Sequence, residues 1–547
     1  MKRWILSLLG ICHFLLLAAQ VQTTCMVHMD KSFYVNGETM WYQVYLPDHM
    51  EGTKVTVKAV ILDGKNRLQG YYFLASEGKT ALPAYYKIPY DANSGMYRLL
   101  IWGRTLNSAQ ETIFAAVPFP VYNDLTTNPE QVTVRDASGL EASGVPQLWS
   151  NDVEMNIDVP ENLNPGSTAA IDVQLIDQSG NPLPAANLSL SVTDHQLAGE
   201  GTLPIANVQR AYPLPRTRWE NNVFLRGKIT PASDTVDPTG LTIGGFLPPS
   251  QRIFYSRVDD NSQFVLQFPG FYETSKIQFI SYPERGFSVQ LADALSTPPP
   301  PPLVYTEGVL RYLELSRQRK KIYQVFTSVE QPLNVPAVDM AFDFPAPDRL
   351  VEPDLYEPFP DLATFFNEVV TPLRFNLDRN TEKYVAKMYD RNKREFYAGS
   401  PLFIIDDQLS RDSDFIARLN PVDIESIGLF YEFDQLFNQF MFLAQNGVVI
   451  IKTKTGKTQL PREGGGATLQ GLLRPVNFSR AHASDGLPDI SPLVHWSSGM
   501  ETDANGRATI TFPLTDDRSE FRVHVVGQTA DGRRVQGEAF FTTIPNR

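Results

Sequence analysis

The sequence has 547 residues, a net charge of −13 and an aromatic content of 11%. A single hydrophobic core stops growing at roughly 250–300 residues, so we expect several domains. An acidic surface repels phosphate, and the sequence has no basic stripe with interleaved aromatic residues, which excludes nucleic acid as the main partner. Recurrent runs rich in Val, Ile, Thr, Phe and Tyr predict a mainly β fold class.

Residues 1–22 have the pattern of a secretory signal peptide. A basic start at Lys2 and Arg3 precedes an apolar run over 4–19, and small and polar residues follow. We therefore expect an exported protein of the periplasm or outer membrane, with an uncleaved N-terminal anchor as the alternative. A lipidated Cys25 would make the protein a lipoprotein. The polar residues before Cys25 match a lipidation motif poorly, so the other interpretation is a buried or free thiol.

Residues 26–122 predict a first all-β sandwich. Apolar and polar side chains alternate over 55–61, and the turn Asp63-Gly64 that follows is typical of a β-hairpin. Residues 123–151 are rich in Asn, Thr, Ser and Gly and have little periodicity. They are expected to form a linker.

A second β-sandwich is predicted over 152–295. Ile171, Val173 and Leu175 alternate with mostly polar residues there, as in a strand with one buried face. Within this range, residues 198–250 are rich in Pro, Gly and Thr and are expected to form a long insertion.

Residues 296–355 predict a proline-rich spacer followed by a helix. Five consecutive prolines over 298–302 favour the stiff polyproline II conformation. A helix is expected over 304–326. It carries a basic patch of Arg317, Arg319, Lys320 and Lys321. Such a patch is usually a solvated face, and contact with an acidic lipid surface, which implies peripheral membrane association, is the alternative.

The pattern changes after the spacer. Residues 356–460 predict one small α+β domain with short helices and buried strands. Residues 468–547 return to β periodicity, with the turns Asn505-Gly506 and Asp531-Gly532 between strands, and predict a C-terminal β segment.

The segment VHMDKSFYVNGETMWYQVYLPD, residues 27–48, resembles the macroglobulin-type domains of alpha-macroglobulin and complement-like proteins. The residues in matching order are Asp30, Lys31, Tyr34, Gly37, Glu38 and Trp41. Asn36 replaces a common proline. Segments 166–194 and 495–532 also resemble such domains, the second through Trp496 and Gly506. The resemblance implies several immunoglobulin-like or macroglobulin-like β-sandwich domains.

Residues 400–456 resemble the plug domain of TonB-dependent outer-membrane receptors. The matching positions are Asp406, Asn420, Pro421, Ile424, Glu425, Asn446 and Gly447. Asp407 replaces the usual glycine. Too few residues follow for a barrel, so the resemblance implies a plug-like domain that lacks one. Together with the macroglobulin-type segments, it is similar to a group of Bacteroidetes-type envelope proteins.

Motifs for catalysis are missing from the sequence. There is no Cys-Gly-Glu-Gln thioester run, no Gly-x-Ser-x-Gly and no His-Glu-x-x-His, and the histidines are scattered. We therefore predict no enzymatic activity, no cofactor and no metal. Two alternatives stay open: a calcium site on the aspartates of 406–414, against a hydrated loop, and acid–base chemistry at Asp194-His195, against a strand-end turn.

The sequence thus predicts a non-enzymatic binding or scaffold protein of the cell envelope. Its expected partners are other envelope proteins, among them an outer-membrane transporter. The alternative is a macroglobulin-like protease trap without a thioester, with a bait over 201–250. Basic cleavage positions in that stretch are Arg210, Arg216, Arg218, Arg226 and Lys228.

Overall fold

The chain divides into two compact units. The computed structural model describes residues 25–105, 111–128, 132–134, 149–160, 163–198, 220–232, 238–282, 287–291, 301–326, 345–431, 433–458, 460, 465–480, 489 and 491–543. Unit 1 comprises Met1–Asn221, Leu295–Ala337 and Leu472–Arg547, and unit 2 comprises Asn222–Ala294 and Val338–Gly471.

Strands dominate both units. The first fifteen are β1 Met26–Met29, β2 Tyr34–Val35, β3 Thr39–Tyr45, β4 Thr56–Leu62, β5 Leu68–Ala75, β6 Ala81–Lys87, β7 Gly95–Arg104, β8 Glu111–Tyr122, β9 Val153–Asp158, β10 Thr168–Asp177, β11 Asn187–Asp194, β12 Val223–Pro231, β13 Thr242–Leu247, β14 Arg252–Arg257 and β15 Gln263–Phe268. The others are β16 Thr274–Tyr282, β17 Phe287–Leu291, β18 Arg349–Val351, β19 Leu373–Asp378, β20 Lys383–Asp390, β21 Glu395–Phe396, β22 Leu402–Ile405, β23 Gln408–Ser410, β24 Ile424–Phe430, β25 Val448–Thr453, β26 Gly466–Gln470, β27 Leu493–Glu501, β28 Arg507–Pro513, β29 Glu520–Gln528 and β30 Arg534–Thr542.

The helices are few and short. They are α1 His195–Ala198, α2 Glu307–Phe326, α3 Leu362–Val369, α4 Ser413–Ala417 and α5 Phe433–Phe440. Within the described residues, thirty strands therefore stand against five α-helices, and the predicted mainly β fold class is confirmed.

The first sandwich of unit 1 consists of two sheets that share one core. One sheet has the order β1-β3-β6 and the other β2-β8-β7-β4-β5. Val44 and Leu82 from the first sheet join Val57, Leu99 and other buried residues of the second in a continuous apolar cluster. The period-two alternation read from the sequence therefore places one face of each strand in this core.

The second sandwich of unit 1 joins strands that are far apart in the chain. Its sheets have the orders β28-β10-β9 and β27-β11-β29-β30. Ile171 on β10 lies opposite Ile510 on β28, and Leu190 on β11 lies opposite Val525 on β29. Their buried side chains form one core.

This pairing corrects two predicted boundaries. The sequence placed 152–295 in one sandwich and 468–547 in a separate C-terminal segment, but strands from the start of the first range pair with strands of the second. Alternation shows that a strand has one buried face, but not which distant strand lies beside it.

Two further sheets lie in unit 2, with the orders β15-β12-β17 and β14-β13-β16-β26. Strands β12 and β13 fall within 198–250, where a long insertion was expected, so the described part of that range is mostly strand. Two of the glycines that suggested an insertion, Gly244 and Gly245, lie within strand β13. A Cβ at Gly244 would come within 2.8 Å of Ile253 and Ile280, so glycine allows β14 and β16 to approach closely.

The rest of unit 2 is a mixed α and β layer. A five-stranded sheet has the order β18-β24-β25-β22-β23, and β22 runs parallel to β25 while β24 is antiparallel to it. Helices α3 and α4 pack on it through a core that includes Phe365, Phe366, Ile416 and Ile427. Asp361 caps α3 by accepting a hydrogen bond from Thr364 N at 2.7 Å.

Helix α2 packs on the first sandwich within unit 1. Its apolar residues Val309, Tyr312 and Leu313 form a cluster with Phe33, Val35 and Tyr122. The range 123–151, expected to be a linker, begins with an ordered turn, in which Asn123 Oδ1 accepts hydrogen bonds from the backbone N–H groups of Leu125 and Thr126, each at 2.9 Å.

Candidate functional site

The macroglobulin-type motif of 27–48 folds into a buried cluster. Asp30 follows β1, and its Oδ1 accepts hydrogen bonds from Tyr34 Oη at 2.5 Å and from Trp41 N at 3.0 Å. These bonds tie the end of β1 to β3. Gly37 has a φ of 83°, and a Cβ there would lie 2.8 Å from the Tyr90 ring, so the turn requires glycine.

Lys31 and Glu38 form the ionic part of this motif cluster. Lys31 Nζ contacts Glu38 Oε2 at 2.5 Å, and the ammonium lies 5.1 Å from the centre of the Tyr34 ring. Tyr312 on α2 donates its hydroxyl to Glu38 Oε1 at 2.6 Å. The motif cluster therefore links the β1–β3 connection to the helix.

The protonation states follow from this burial. Burial raises the pKa of Asp30 to about 7, against the opposing effect of Lys31. Burial also acts on Lys31 and Glu38, but their mutual attraction prevails, so the pKa of the lysine is raised and that of the carboxyl is lowered. A charged pair held in this way stabilises packing, and both partners are committed to each other.

The two motif tryptophans meet in a second cluster. Trp41 and Trp496 are both buried and pack with Leu493, Tyr85 and Phe478. The sequence placed them in separate domains more than 450 positions apart. The remaining motif glycine of unit 1, Gly506, has a φ of 70° in the turn between β27 and β28.

Two buried histidines, His28 and His524, lie beside this cluster, although they are far apart in the sequence. His28 Nε2 and His524 Nδ1 are 3.0 Å apart, and His28 Nδ1 lies 2.6 Å from Ser189 Oγ. Tyr45 completes the group by donating its hydroxyl to Val526 O at 2.9 Å. The histidine pair therefore joins β1 of the first sandwich to β11 and β29 of the second.

Burial keeps both imidazoles neutral. It lowers the pKa of His524 to about 4, with the Arg522 guanidinium acting in the same direction and Glu538 opposing it. Burial also lowers the pKa of His28, and the neighbouring His524 and Arg522 add to that effect.

The plug-like motif residues of unit 2 also have structural contacts. Asp406 Oδ2 accepts a hydrogen bond from Thr458 Oγ1 at 2.7 Å, and its Oδ1 accepts one from Thr453 N at 2.8 Å. Asn420 caps the turn Pro421–Asp423 by accepting from Val422 N at 3.1 Å. Each contact closes a turn beside the sheet.

The other motif positions in unit 2 do not converge on one site. Ile424 is fully buried in the core of the sheet, while Glu425 is exposed. Asn446 lies against Gly399, where a Cβ would come within 2.5 Å of its amide. Gly447 has a φ of 85° and lies against Met388.

Three of the four aspartates considered for calcium, Asp406, Asp412 and Asp414, each have a separate partner. Asp412 caps α4 by accepting from Phe415 N at 3.0 Å, and Asp414 pairs with Arg418 at 3.1 Å. Within the described residues, no group of three or more His, Cys, Asp or Glu side chains is arranged to hold a metal ion. Asp194 Oδ1 accepts hydrogen bonds from Gln196 N and Leu197 N at 3.0 and 3.2 Å, as in a strand-end turn. It accepts from Ser519 Oγ at 2.8 Å at the end of β11.

The basic patch of α2 faces inward more than the sequence suggested. Lys320 Nζ pairs with the fully buried Asp124 at 2.8 Å, and Arg317 donates to Thr127 O at 2.5 Å. Two of the four basic side chains thus hold α2 on the first sandwich, which corrects the expected solvated face. Arg319 also contacts Glu38, at 3.9 Å.

Cys25 is fully buried in the core of the first sandwich, and burial raises its pKa to about 12. A lipidated Cys25 would have to leave this core. Among the described residues, no helix combines the length and the apolar character needed to cross a membrane. The predicted signal peptide, residues 1–22, lies outside the described residues.

The bait positions of the protease-trap alternative divide between two regions. Arg226 and Lys228 lie on β12, which pairs on both sides with β15 and β17, so they are not on an accessible loop. Arg210, Arg216 and Arg218 lie outside the described residues.

Two surface cavities are lined by described residues. One, in unit 1, has a volume of about 570 Å³ and polar walls. The other, in unit 2, has a volume of about 360 Å³ and is lined by prolines, Leu350 and Phe430. None of the residues named as matching positions of the macroglobulin-type or plug-like motifs lines either of these two cavities, although Ser426, Ile450 and Lys452 of the plug-like segment line the second.

Sequence reasoning missed the partners that complete the buried clusters. Tyr312, Ser189 and Asp124 are each more than 80 positions away from the residues they contact. Nothing local in the sequence distinguishes them from other polar residues. An apolar stripe of the expected helix, which includes Val309 and Leu313, indicated that the helix packs on another element, but it did not include Tyr312.

No family model and no curated protein matches the sequence. Among solved structures, Escherichia coli alpha-2-macroglobulin activated by porcine elastase matches at 10% identity and a TM-score of 0.25, over 95% of this chain and 44% of that one. Its native conformation matches at 9% identity and a TM-score of 0.24, over 96% and 40%. Salmonella alpha-2-macroglobulin reacted with methylamine matches at 10% identity and a TM-score of 0.24, over 95% and 40%.

The chain therefore spans less than half of the length of these solved structures. At TM-scores this low, the alignments carry no argument about this protein.

Proposed function

We propose that this protein is a non-enzymatic binding protein of the cell envelope that holds partner proteins through an apolar surface of unit 2. The proposal rests on a group of large apolar side chains that are exposed along the β18 edge of the five-stranded sheet. This apolar surface consists of Leu350, Leu355, Tyr356 and Val422, with exposed fractions of 57%, 76%, 41% and 52%.

These side chains are close in the fold. Leu350 lies on the edge strand β18, and the turn Pro353–Leu355 that follows it packs against the turn Pro421–Asp423. Leu350 also lines the 360 Å³ cavity. Exposed apolar side chains that lie near one another favour protein–protein contact, whereas single exposed apolar residues are ordinary.

The envelope location rests on the signal-peptide pattern of 1–22. The resemblance of 400–456 to a receptor plug supports an outer-membrane transporter as the partner, and the resemblance of 27–48 to macroglobulin-type domains supports an extracytoplasmic scaffold. The commitment of the buried acids, bases and histidines to packing contacts supports a role without catalysis.

Site-specific photo-crosslinking in the native envelope tests this function. A crosslinker placed at Leu350 should capture one envelope protein, identified by mass spectrometry. The same crosslinker at Leu377 is the matched control. Leu377 is 53% exposed, but it lies on a different sheet, β19-β20-β21. Equal capture at both positions, or capture at neither, would contradict the proposal.

A further inference from the structure

The polar cavity of unit 1 lies where three loops of the first sandwich meet. The loops follow β4, precede β7 and follow β8. Leu62 at the end of β4 pairs with Arg98 on β7, and Gly95 at the start of β7 pairs with Val121 near the end of β8, so the three loops share one end of the sheet. The volume of about 570 Å³ falls within the range of small-molecule sites.

The walls of the cavity are held by their own hydrogen bonds. Asp63 Oδ1 accepts from the N–H groups of Lys65 and Arg67 at 2.8 and 2.9 Å. Tyr97 Oη donates to Asn93 O at 3.0 Å. The ring of Tyr305 packs edge-to-face on Tyr122 at 5.1 Å. Such walls need little ordering when a ligand binds.

Four polar groups of the lining take no part in these hydrogen bonds. The Lys65 ammonium, the Asn93 side-chain amide, the Thr126 hydroxyl and the Tyr305 hydroxyl have no hydrogen-bond or ion-pair partner among the described residues. They supply donors and acceptors in a cavity that also presents the partly exposed aromatic ring of Tyr305, whereas the ring of Tyr97 is buried in the core.

The charge of the lining adds a preference. The Arg67 guanidinium is paired with Asp63 at 2.7 Å, so those two charges offset each other. Among the described residues of the lining, Lys65 then carries the one charge that no neighbour offsets, which favours a ligand with one negative charge.

We propose that this cavity binds a small acidic saccharide. Ring hydroxyls match the free amide and hydroxyl groups, a sugar face matches the aromatic ring of Tyr305, and a carboxylate matches Lys65. This site would add a ligand-binding function in unit 1 that is independent of the apolar surface of unit 2.

Titration of the mature protein with D-glucuronate, followed by NMR or calorimetry, tests the site. Glucuronate should bind at least about tenfold more tightly than neutral D-glucose, since an ion pair with a charged donor contributes strongly. Lys65→Gln should reduce glucuronate binding to the glucose level. The matched control is Lys79→Gln, because Lys79 is exposed in the same sandwich but does not line the cavity.

A second variant separates the saccharide from a simple anion. Asn93→Ala should weaken the binding of both sugars by several-fold and leave any binding of inorganic phosphate unchanged. The proposal is overturned if phosphate binds as well as glucuronate, if Lys79→Gln has the same effect as Lys65→Gln, or if neither sugar binds at millimolar concentration.

Discussion

Acidification should weaken the contact between the two sandwiches of unit 1 at the buried histidine pair. His28 and His524 are neutral in the fold because burial lowers the pKa of both. The unfolded or opened chain binds a proton at each imidazole below about pH 6.5. Stability is therefore full above that pH and is lost as the pH falls towards the folded pKa, because the opened state binds more protons.

The magnitude follows from His524. The difference between 6.5 in the opened chain and about 4 in the fold corresponds to roughly 3 kcal/mol, lost between about pH 6.5 and pH 4. At about pH 4.5 most of this, roughly 2–3 kcal/mol, is lost. His28 acts in the same direction. Arg522 opposes protonation of both rings, whereas Glu538, whose carboxylate lies 4.0 Å from His524, moderates the effect on that ring.

Hydrogen exchange with mass spectrometry is the appropriate assay, because a chain with two units has no single free energy of unfolding. Peptides from β1, β11 and β29 should lose protection between about pH 7 and pH 4.5, after correction for intrinsic exchange. In His524→Phe this loss should be smaller by roughly 2–3 kcal/mol. His195→Phe, at a partly exposed histidine outside the pair, should behave as the parent. If His524→Phe keeps the full loss, the histidine pair is not its cause.

Three further substitutions test the packing of unit 1. Arg104→Met should lower the free energy of hydrogen exchange in the first sandwich by about 3 kcal/mol, because it removes the guanidinium that pairs with the fully buried Glu220 carboxylate; unchanged protection of peptides from β7 and β8 would contradict this. Tyr312→Phe should speed hydrogen exchange in α2, because the lost hydrogen bond to Glu38 lowers the protecting free energy by about 1 kcal/mol. Unaltered protection of α2 would show that the Tyr312 hydroxyl contributes nothing. Gly506→Ala should destabilise by more than about 1 kcal/mol, since its Cβ would meet Leu175 O at 2.5 Å, whereas Gly180→Ala, with a similar φ and open space, should cost less; equal effects would refute the steric argument.

The local structure of this protein could be predicted from its sequence, because strand alternation and turn residues are local properties. The Asp63-Gly64 turn and the helix after the proline run both have local causes: a capping carboxylate that accepts backbone N–H bonds in the first case, and an apolar stripe in the second. The expected helix over 304–326 corresponds to α2 at Glu307–Phe326.

Long-range pairing could not be predicted in the same way. Strand β10 has the same alternation whether its neighbour is nearby or, as with β28, more than 330 positions away. The contacts of the candidate site residues could not be predicted for the same reason. The sequence identified Lys31 and Glu38 as motif residues, but the tyrosine of α2 that completes their contacts is about 280 positions distant, and its role depends on how the helix packs.

The divided second sandwich has a consequence for the order in which the chain can fold. Until β28 and β29 have been synthesised, β10 and β11 lack the neighbours that cover their edges, although all of unit 2 has by then emerged. Such late, non-local pairing slows folding and leaves unpaired edges open to aggregation. Holding chaperones would therefore matter most during this interval, and a chain stalled before residue 493 would stay their client.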